Sequence, residues 1–479
     1  MRVAVQGCSH GDLDEIYASV AHIEQQENTT VDLVISCGDF QAIRNQGDFD
    51  SIAVPDKYKE LGSFHKYYSG EKVAPYPTLF IGGNHEASNY LWELYYGGWV
   101  APNMYYMGCS GVVRFGGLRI GGLSGIFDGR NYRLGHFEFP PYDRGSLRSV
   151  YHVREFEVRK LLHLRDKLDV FLSHDWPRGV ANCGCCNKAG LLRCKPYFRE
   201  EIARDELGSP AAAKLCNRLK PRYWFSAHYH VKFPAVIRHG RSVSEDTLAV
   251  SSGNGGMPSG WMTKEVQQKL RESGGADQEE YTKFLALDKC MPNREFLQIL
   301  DFPEAQGPKA FQYDVEWLAI LRRLQAEMPM ERRQVASPTD AASCPGASRE
   351  EVDWVSIKLS AASGGDLSVP TAFVRTAPTQ TEYESAPRHF RNDVHYVNPQ
   401  TASLLELLEL PYTLDANRRQ QQGMRGPGRQ PPPAGNFMVP TNVFLNFQAA
   451  ASQDEANPEE INIEGDQDDL NDEEIDISM

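Results

Sequence analysis

Arg2-Val3-Ala4-Val5-Gln6-Gly7-Cys8-Ser9-His10-Gly11 lies at the start of the chain. Residues 2–7 read as a short, largely apolar run that stops at a glycine, the pattern of a buried strand ending in a sharp turn. Cys8 and His10 follow that turn. Four more runs share the arrangement. Residues 31–37 end in Gly38-Asp39, and 78–81 end in Gly82-Gly83-Asn84-His85-Glu86. Residues 170–173 end in His174-Asp175, and 223–226 end in Ala227-His228-Tyr229-His230. Helical spacing occupies 13–26, 150–167 and 210–219, and glycine-punctuated runs between 104 and 126 read as antiparallel strands. Strands with helices between them predict an α/β fold with crossover connections, taken alone a doubly wound sheet. In such sheets ligands bind outside the carboxyl ends of the strands. Here five strand ends carry Cys, His, Asp or Asn.

Those residue types suit a particular chemistry. Imidazole and carboxylate groups ligate Fe, Zn and Mn, and one carboxylate bridges two ions ~3.5–4 Å apart. A pair of such ions activates a water and neutralises phosphate oxygens. A His-x-His at a strand end presents two imidazoles to two different ions. Neighbouring glycines let the backbone turn sharply and come close to a phosphate. A lone histidine or a lone Gly-Asp carries little weight; the ordered set of five is specific.

Composition bounds the rest. The chain has 479 residues, 41% hydrophobic and 10% aromatic, enough for one large domain or two. Net charge is −14, but 12 acidic and no basic residues fall between Asp454 and Met479. Removing those 12 from the 64 acidic residues leaves 52 against 50 basic, so the remainder is near neutral and open to an anionic substrate. The N-terminal apolar run is too short for a secretion signal, and no run approaches the ~20 residues of a membrane span. Ten cysteines in such a chain read as buried thiols or metal ligands before disulfides.

Beyond residue 233 the pattern changes. Runs at 284–287 and 296–300 read as strands around Asp288-Lys289-Cys290-Met291-Pro292, and 311–326 reads as a helix. Ser, Ala, Gly, Pro and Thr dominate 328–391, which reads as linker. Residues 404–410 read as a short helix started by Thr401 or Ser403. Residues 417–433, with Arg418, Arg419, Arg425 and Arg429, and the acidic tail from Asp454 read as disordered.

In their order, Cys8-x-His10, Gly38-Asp39, Gly83-Asn84-His85-Glu86, Ser173-His174 and His228-x-His230 resemble the calcineurin-like metallophosphoesterase superfamily. That resemblance replaces the doubly wound sheet with a two-sheet β-sandwich flanked by helices, with metals at the strand ends. Cys8 stands where the superfamily has aspartate. With that cysteine, Gly38-Asp39-Phe40-Gln41, Ser173-His174-Asp175-Trp176-Pro177 and Trp224-Phe225-Ser226-Ala227-His228 are similar to the RNA lariat debranching family. So are Leu207-Gly208-Ser209-Pro210, residues 282–290, Asp314-Val315-Glu316-Trp317-Leu318 and Asn398-Pro399-Gln400-Thr401. The likeness covers residues 1 to about 412. It implies a catalytic domain over 1–235, a C-terminal region over 236–412 that is partly linker, and a disordered segment over 413–479. It also implies hydrolysis of the 2′–5′ phosphodiester at the branch of excised intron lariats, in the nucleus, with shuttling to the cytoplasm as a further expectation.

The resemblance assigns residues. One ion falls to His10, Asp39 and His230, with Cys8 at or near it; the other to Asp39, Asn84, His174 and His228, so that Asp39 bridges. One or two ions of Fe²⁺, Zn²⁺ or Mn²⁺ are expected. His85 is expected to be no ligand but to protonate the leaving 2′ oxygen or stabilise its charge. Residues 124–154 correspond to the lariat recognition loop. They hold Arg130, Arg133, Arg144, Arg148 and Arg154 among aromatics that include Tyr132, Phe137 and Tyr142, a mixture suited to unpaired RNA. An ordinary loop packed by its own aromatics is the plainer reading of the same residues. Cys183, Cys185, Cys186 and Cys194 read as free thiols, with a structural zinc as the alternative. The 417–433 segment reads as a solvated linker, or as a nuclear-import or RNA-association segment. The acidic tail reads as a solubilising tail or as a contact for a basic protein partner.

Overall fold

The computed structural model describes residues 1–184, 187–239, 280–335, 344–390 and 394–416. Cys185, Cys186, the 417–433 segment and the acidic tail lie outside them. Each apolar run becomes a strand. In chain order these are β1 (Arg2–Gln6), β2 (Leu33–Ser36), β3 (Thr78–Phe80), β4 (Gly98–Ala101), β5 (Met104–Tyr106), β6 (Ser110–Phe115) and β7 (Leu118–Leu123). After them come β8 (Val170–Ser173), β9 (Tyr223–Ser226), β10 (Phe233–His239), β11 (Glu280–Ala286), β12 (Leu297–Asp301) and β13 (Gln312–Tyr313).

The strands form two mixed sheets. One has the order β12-β1-β2-β3-β5-β4, and the other β10-β11-β9-β8-β7-β6-β13. β1, β2, β3 and β5 run parallel in the first sheet, and β7, β8, β9 and β11 in the second. Alternate residues face opposite ways along a strand. Val3, Val5, Leu33, Ile35 and Leu79 therefore meet Ile120, Val170, Leu172, Phe225 and Leu285 between the sheets. Ala4, Val34 and Phe80 face outward onto Leu13, Ile16 and Val20 of the helix Leu13–Glu27. On the far side, Phe171, Trp224 and Phe284 pack with Val158 and Leu161 of the helix Glu155–Leu162, Leu215 of Pro210–Leu219 and Trp317 of Val315–Leu324. Burial on both faces explains why these strands read as unbroken apolar runs. The architecture is the two-sheet sandwich flanked by helices.

The C-terminal region is built into the same sheets. β10 runs past residue 235, β11 lies between β9 and β10, and β12 pairs antiparallel with β1. The expected linker over 328–391 is corrected for its described part. Residues Arg349–Ser363 form a helix with a Ser348/Glu351 capping box, and Val355 and Leu359 are buried. A small-residue composition concealed this helix, because only one narrow apolar stripe holds it down. The helix expected over 150–167 covers only Glu155–Leu162. Before it, Val150 still closes a separate short helix, Arg144–Ser149, and Val153 then donates its N–H to the Ile126 carbonyl at 2.8 Å, which breaks the chain out of helical geometry ahead of Glu155. The last helix spans Pro399–Leu407. It is capped by Asn398, whose side chain accepts the Gln400 N–H at 3.0 Å, rather than by Thr401 or Ser403.

A buried ion cluster fastens the C-terminal region. Arg119 on β7 donates to Asp314 at 2.7 and 2.8 Å and to Glu316 at 2.8 Å. Asp314 also caps the helix Val315–Leu324 by accepting the Trp317 N–H at 3.0 Å. Burial would raise the Asp314 carboxyl, but Arg119 outweighs it and holds the group below the usual carboxylate range. Removing the cation leaves Asp314 with Arg114 at 3.0 Å and Glu316 with only the Arg165 and Asp166 N–H groups, so Arg119→Ala is expected to destabilise the fold by about 3 kcal/mol. The urea midpoint should fall with an unchanged slope; a loss under ~1 kcal/mol would show that water replaces the guanidinium.

Candidate metal centre

All five expected loops leave the carboxyl ends of parallel strands, three from the first sheet and two from the second. They converge. Ligand atoms of Cys8, His10, Asp39 and His230 all lie within 4.8 Å of one another, the one such cluster among the described residues. His10 Nε2 is 3.2 Å from His230 Nε2 and 3.8 Å from Asp39 Oδ2. On the other side of Asp39, His174 Nε2 is 3.4 Å from Asp39 Oδ2 and 3.2 Å from Asn84 Oδ1. The His228 ring centroid lies 5.0 Å from that of His174. Asp39 thus stands between the two groups of ligands.

The fit to a metal can be tested on these distances. Two ligand atoms each ~2.1 Å from one ion stand roughly 3.0–3.4 Å apart at tetrahedral or octahedral angles. Three of the four spacings fall in that range. His174 Nδ1 lies 2.8 Å from the Cys37 carbonyl. Burial would lower the imidazole's pKa, but Asp39 outweighs it and raises it, so Nε2 faces the acceptors Asn84 Oδ1 and Asp39 Oδ2 with a proton. A divalent cation would take the place of that proton between the three converging ligand atoms. The N, O and S donors suit a borderline divalent ion.

Backbone geometry delivers these side chains. His10, Asp39, Gln41, His228 and His230 all have positive φ, from 44° to 66°. Non-glycine residues in that region are uncommon and concentrate where function demands them. Gly38 has φ 114°, and a Cβ there would sit 2.2 Å from His174 Nδ1; one on Gly83 would sit 2.2 Å from Asp39 Oδ1. Both glycines are space for the ligands.

Electrostatics follow burial. Asp39 is buried, which opposes its charge, yet His174, His85 and His10 outweigh burial and hold its carboxyl well below the usual range. Burial lowers His10 to about 4, His228 to about 3 and His230 to about 2. Lys289 adds to the effect on His10 and His230; its backbone bridges to Cys8. These imidazoles are neutral and available near pH 7. Cys8 is buried, its sulfur accepts the His228 N–H at 3.4 Å, and burial followed by Asp39 pushes its thiol well up.

His85 borders the cluster. Its backbone N–H donates to Asp39 Oδ1 at 2.9 Å, Nε2 is 3.0 Å from the Asn84 amide nitrogen, and Nδ1 is buried with no hydrogen-bond partner among the described residues. Glu86 received no role from the sequence. It is buried and accepts the N–H groups of Phe40 at 2.7 Å, Gln41 at 2.8 Å and Gly83 at 2.9 Å, binding the β2 and β3 loops together. Its place in the glycine-rich motif was the available signal, but three backbone donors from two loops are a tertiary fact. Asp175 likewise ties Phe127, at the root of the 124–154 arm, to Trp176 and Tyr229.

On the arm, Arg130, Arg133, Arg144 and Arg148 are exposed, and Tyr132, Phe137 and Tyr142 are half-buried. Arg133 lies 3.9 Å from Glu155. Arg154 differs: it is fully buried, paired with Glu138 and bonded to the Asn131 and Ser149 carbonyls, so it braces the arm. Cys183 is half-buried and Cys194 exposed. Among the described residues no helix is long and apolar enough to cross a membrane.

Two sheets flanked by helices, with His, Asp, Asn and Cys gathered at their strand ends, define a metallophosphoesterase. Residues 1–232 match the calcineurin-like phosphoesterase family, and 279–413 match the C-terminal domain of lariat debranching enzyme. The chain is 48% identical to the lariat debranching enzyme of Arabidopsis thaliana over 421 residues, 87% of this chain and 88% of the relative. It is 46% identical to lariat debranching enzyme A of Xenopus laevis, over 86% of this chain and 70% of that one. For the human lariat debranching enzyme the figures are 45%, 88% and 71%. The chain belongs to the lariat debranching enzyme family.

Metal binding is expected to report on Cys8. Its raised pKa keeps the thiol protonated near pH 7, and a thiolate ligand must shed that proton. The neutral imidazoles shed none. If Cys8 ligates, each ion bound on the His10 side releases about one proton, and affinity climbs roughly tenfold per pH unit. Cys8→Ser should abolish both effects in titrations of Fe²⁺, Zn²⁺ and Mn²⁺ into apoprotein. Superimposable curves and proton release for the variant would make Cys8 a packing residue.

Proposed function

We propose that the protein hydrolyses the 2′–5′ phosphodiester at the branch point of excised intron lariat RNA, linearising it for turnover. The observation that carries this reading is the convergence of five strand-end loops on Asp39, with Cys8 in the cluster and the arginine-rich 124–154 arm rooted beside it.

When bound there, a divalent ion or pair, Fe²⁺, Zn²⁺ or Mn²⁺, would supply charge neutralisation of the phosphate and activation of a water. The protein's own groups do the rest. Asp39 faces both ligand groups and would be shared between them; Cys8, His10 and His230 would hold an ion on one side, and Asn84, His174 and His228 on the other. Asn84 offers a neutral oxygen, which adds no negative charge opposite the substrate phosphate. His85 is fixed through its backbone to Asp39, and its imidazole is assigned to protonate the departing 2′ oxygen or stabilise its charge. The exposed arginines of the arm are assigned to phosphates, and Tyr132, Phe137 and Tyr142 to unpaired bases. A branch nucleotide has three backbone connections, which favours a wide cradle over a narrow pocket.

The nucleus is the proposed place of action, with passage to the cytoplasm; this rests on where lariats arise. A basic protein is the proposed partner of the acidic tail.

Two measurements test the reading. His85→Ala should slow cleavage of branched RNA by ~10²–10⁴-fold, while metal content and substrate affinity stay near normal. Loss of metal from that variant would make His85 a ligand. Arg130, Arg133, Arg144 and Arg148 changed together to Ala should weaken branched-RNA binding and flatten its salt dependence, through lost counterion release. Hydrolysis of bis(p-nitrophenyl) phosphate should persist. Equal loss on both substrates would withdraw the recognition role. A chain that releases phosphate from phosphoproteins but leaves branched RNA intact would be a different member of the superfamily.

A further inference from the structure

Where the 124–154 arm meets the chain after the helix Val315–Leu324, a groove of about 400 Å³ opens. Phe137, Phe139, Pro140, Pro141 and Asp143 line it from the arm, and Arg332 from the other side. The volume lies in the range of small-ligand sites. Nothing in the sequence pairs Arg332 with this arm; the fold does.

The two walls are held at a fixed spacing. Gly135 N–H donates to the Glu331 carbonyl at 3.0 Å, His136 N–H to Pro329 at 2.8 Å, and Val335 N–H returns to Arg133 at 2.9 Å. Beneath them, the buried Arg154–Glu138 pair with Ser149 braces the arm, and the Arg154 guanidinium lies 5.9 Å from the Phe137 ring centroid. Arg332 lies over Phe137 at 5.1 Å from the centroid. It is exposed, and among the described residues no carboxylate lies within ion-pair distance of it. Asp143 accepts the Ser146 N–H at 2.6 Å; its hydrogen bonds from Ser146 and Gly145, with a smaller contribution from the nearby Arg332 charge, hold its carboxyl below the usual range.

Aromatic and proline faces beside an exposed guanidinium match the parts of an unpaired nucleotide. Its base has a π-face and N–H donors, and its phosphate has the charge a guanidinium takes. Four exposed arginines on the same arm make the surroundings complementary to a polyanion rather than to a neutral peptide. We propose that this groove is a subsite for one unpaired nucleotide of an RNA arm leading away from the branch, its base stacked on Phe139 and its phosphate on Arg332, which lies over Phe137. The proposal rests on the debranching reading above and gives the C-terminal region a direct part in substrate recognition.

The test uses the full chain loaded with Mn²⁺ and two branched RNAs. One has arms of several nucleotides, and the other is trimmed to the branch nucleotide and its immediate neighbours. Arg332→Ala should raise KM for the long-armed RNA by roughly tenfold and lower the slope of its salt dependence by about one ion. The kcat should hold, and the trimmed RNA should show no such rise. Arg332→Lys should restore the salt slope, and Phe139→Ala should raise KM on the long-armed RNA without changing that slope. An equal rise on both RNAs would overturn the subsite, because Arg332 would then act by holding the arm in place. Unchanged KM for both alanine variants would also overturn it and assign the groove to another class of ligand, such as a proline-bearing peptide. Failure of the wild type to cut either RNA removes the debranching reading itself, a result distinct from both.

Discussion

The molecule is organised around one buried carboxylate. Asp39 sits in a left-handed turn after β2, almost wholly out of solvent. An isolated carboxylate in that place would cost several kcal/mol and would take up a proton instead. It stays charged chiefly because the His174 imidazole, whose own pKa is raised, faces it, with His85 and His10 beside it and the His85 backbone N–H donating to it. Those groups come from three different strand ends, after β1, β3 and β8. Holding them requires Gly38 and Gly83, where a side chain would occupy the place of His174 or of Asp39 itself. It also requires Glu86, which gathers the N–H groups of the same loops from below. The two sheets can be viewed as the frame that brings three loops from one side and two from the other to this single charge.

The C-terminal region serves the same centre at one remove. β11 inserts beside β9, whose loop carries His228 and His230, and β12 closes the edge of the sheet beside β1, whose loop carries Cys8 and His10. Lys289, just after β11, pairs its backbone with Cys8. Farther along, 329–335 is stitched to the arm at 133–136 by backbone hydrogen bonds. The part of the chain that gave the weakest sequence signal thus shapes the surroundings of the metal ligands and of the substrate arm. This is consistent with separate matches to the catalytic and C-terminal families on one folded unit.

The candidate centre was legible because its residues sit at strand ends, and strands buried on both faces advertise themselves as apolar runs. Cys8, His10, Asp39, Asn84, His174, His228 and His230 could all be named from that pattern. The helix Arg349–Ser363 could not, although Ser348 and Glu351 spell a capping box, since small and polar residues around it outweighed Val352, Val355 and Leu359. Arg154 was grouped with the exposed arginines of the arm, yet it is the buried partner of Glu138. Linear composition cannot distinguish a cation that meets solvent from one that meets a carboxylate sixteen residues upstream.

The sequence by itself determined which strands exist, which residue types stand at their ends and that those types suit divalent metal and phosphate. These are local properties, set by periodicity, turn chemistry and side-chain identity. Only the tertiary structure decided that Asp39 lies between two ligand groups, that Glu86 is a brace, that Arg154 is internal and that Arg332 faces Phe137. Each of those is a contact between residues far apart in the chain or a choice between burial and solvent, and neither is encoded until the sheets have closed on one another.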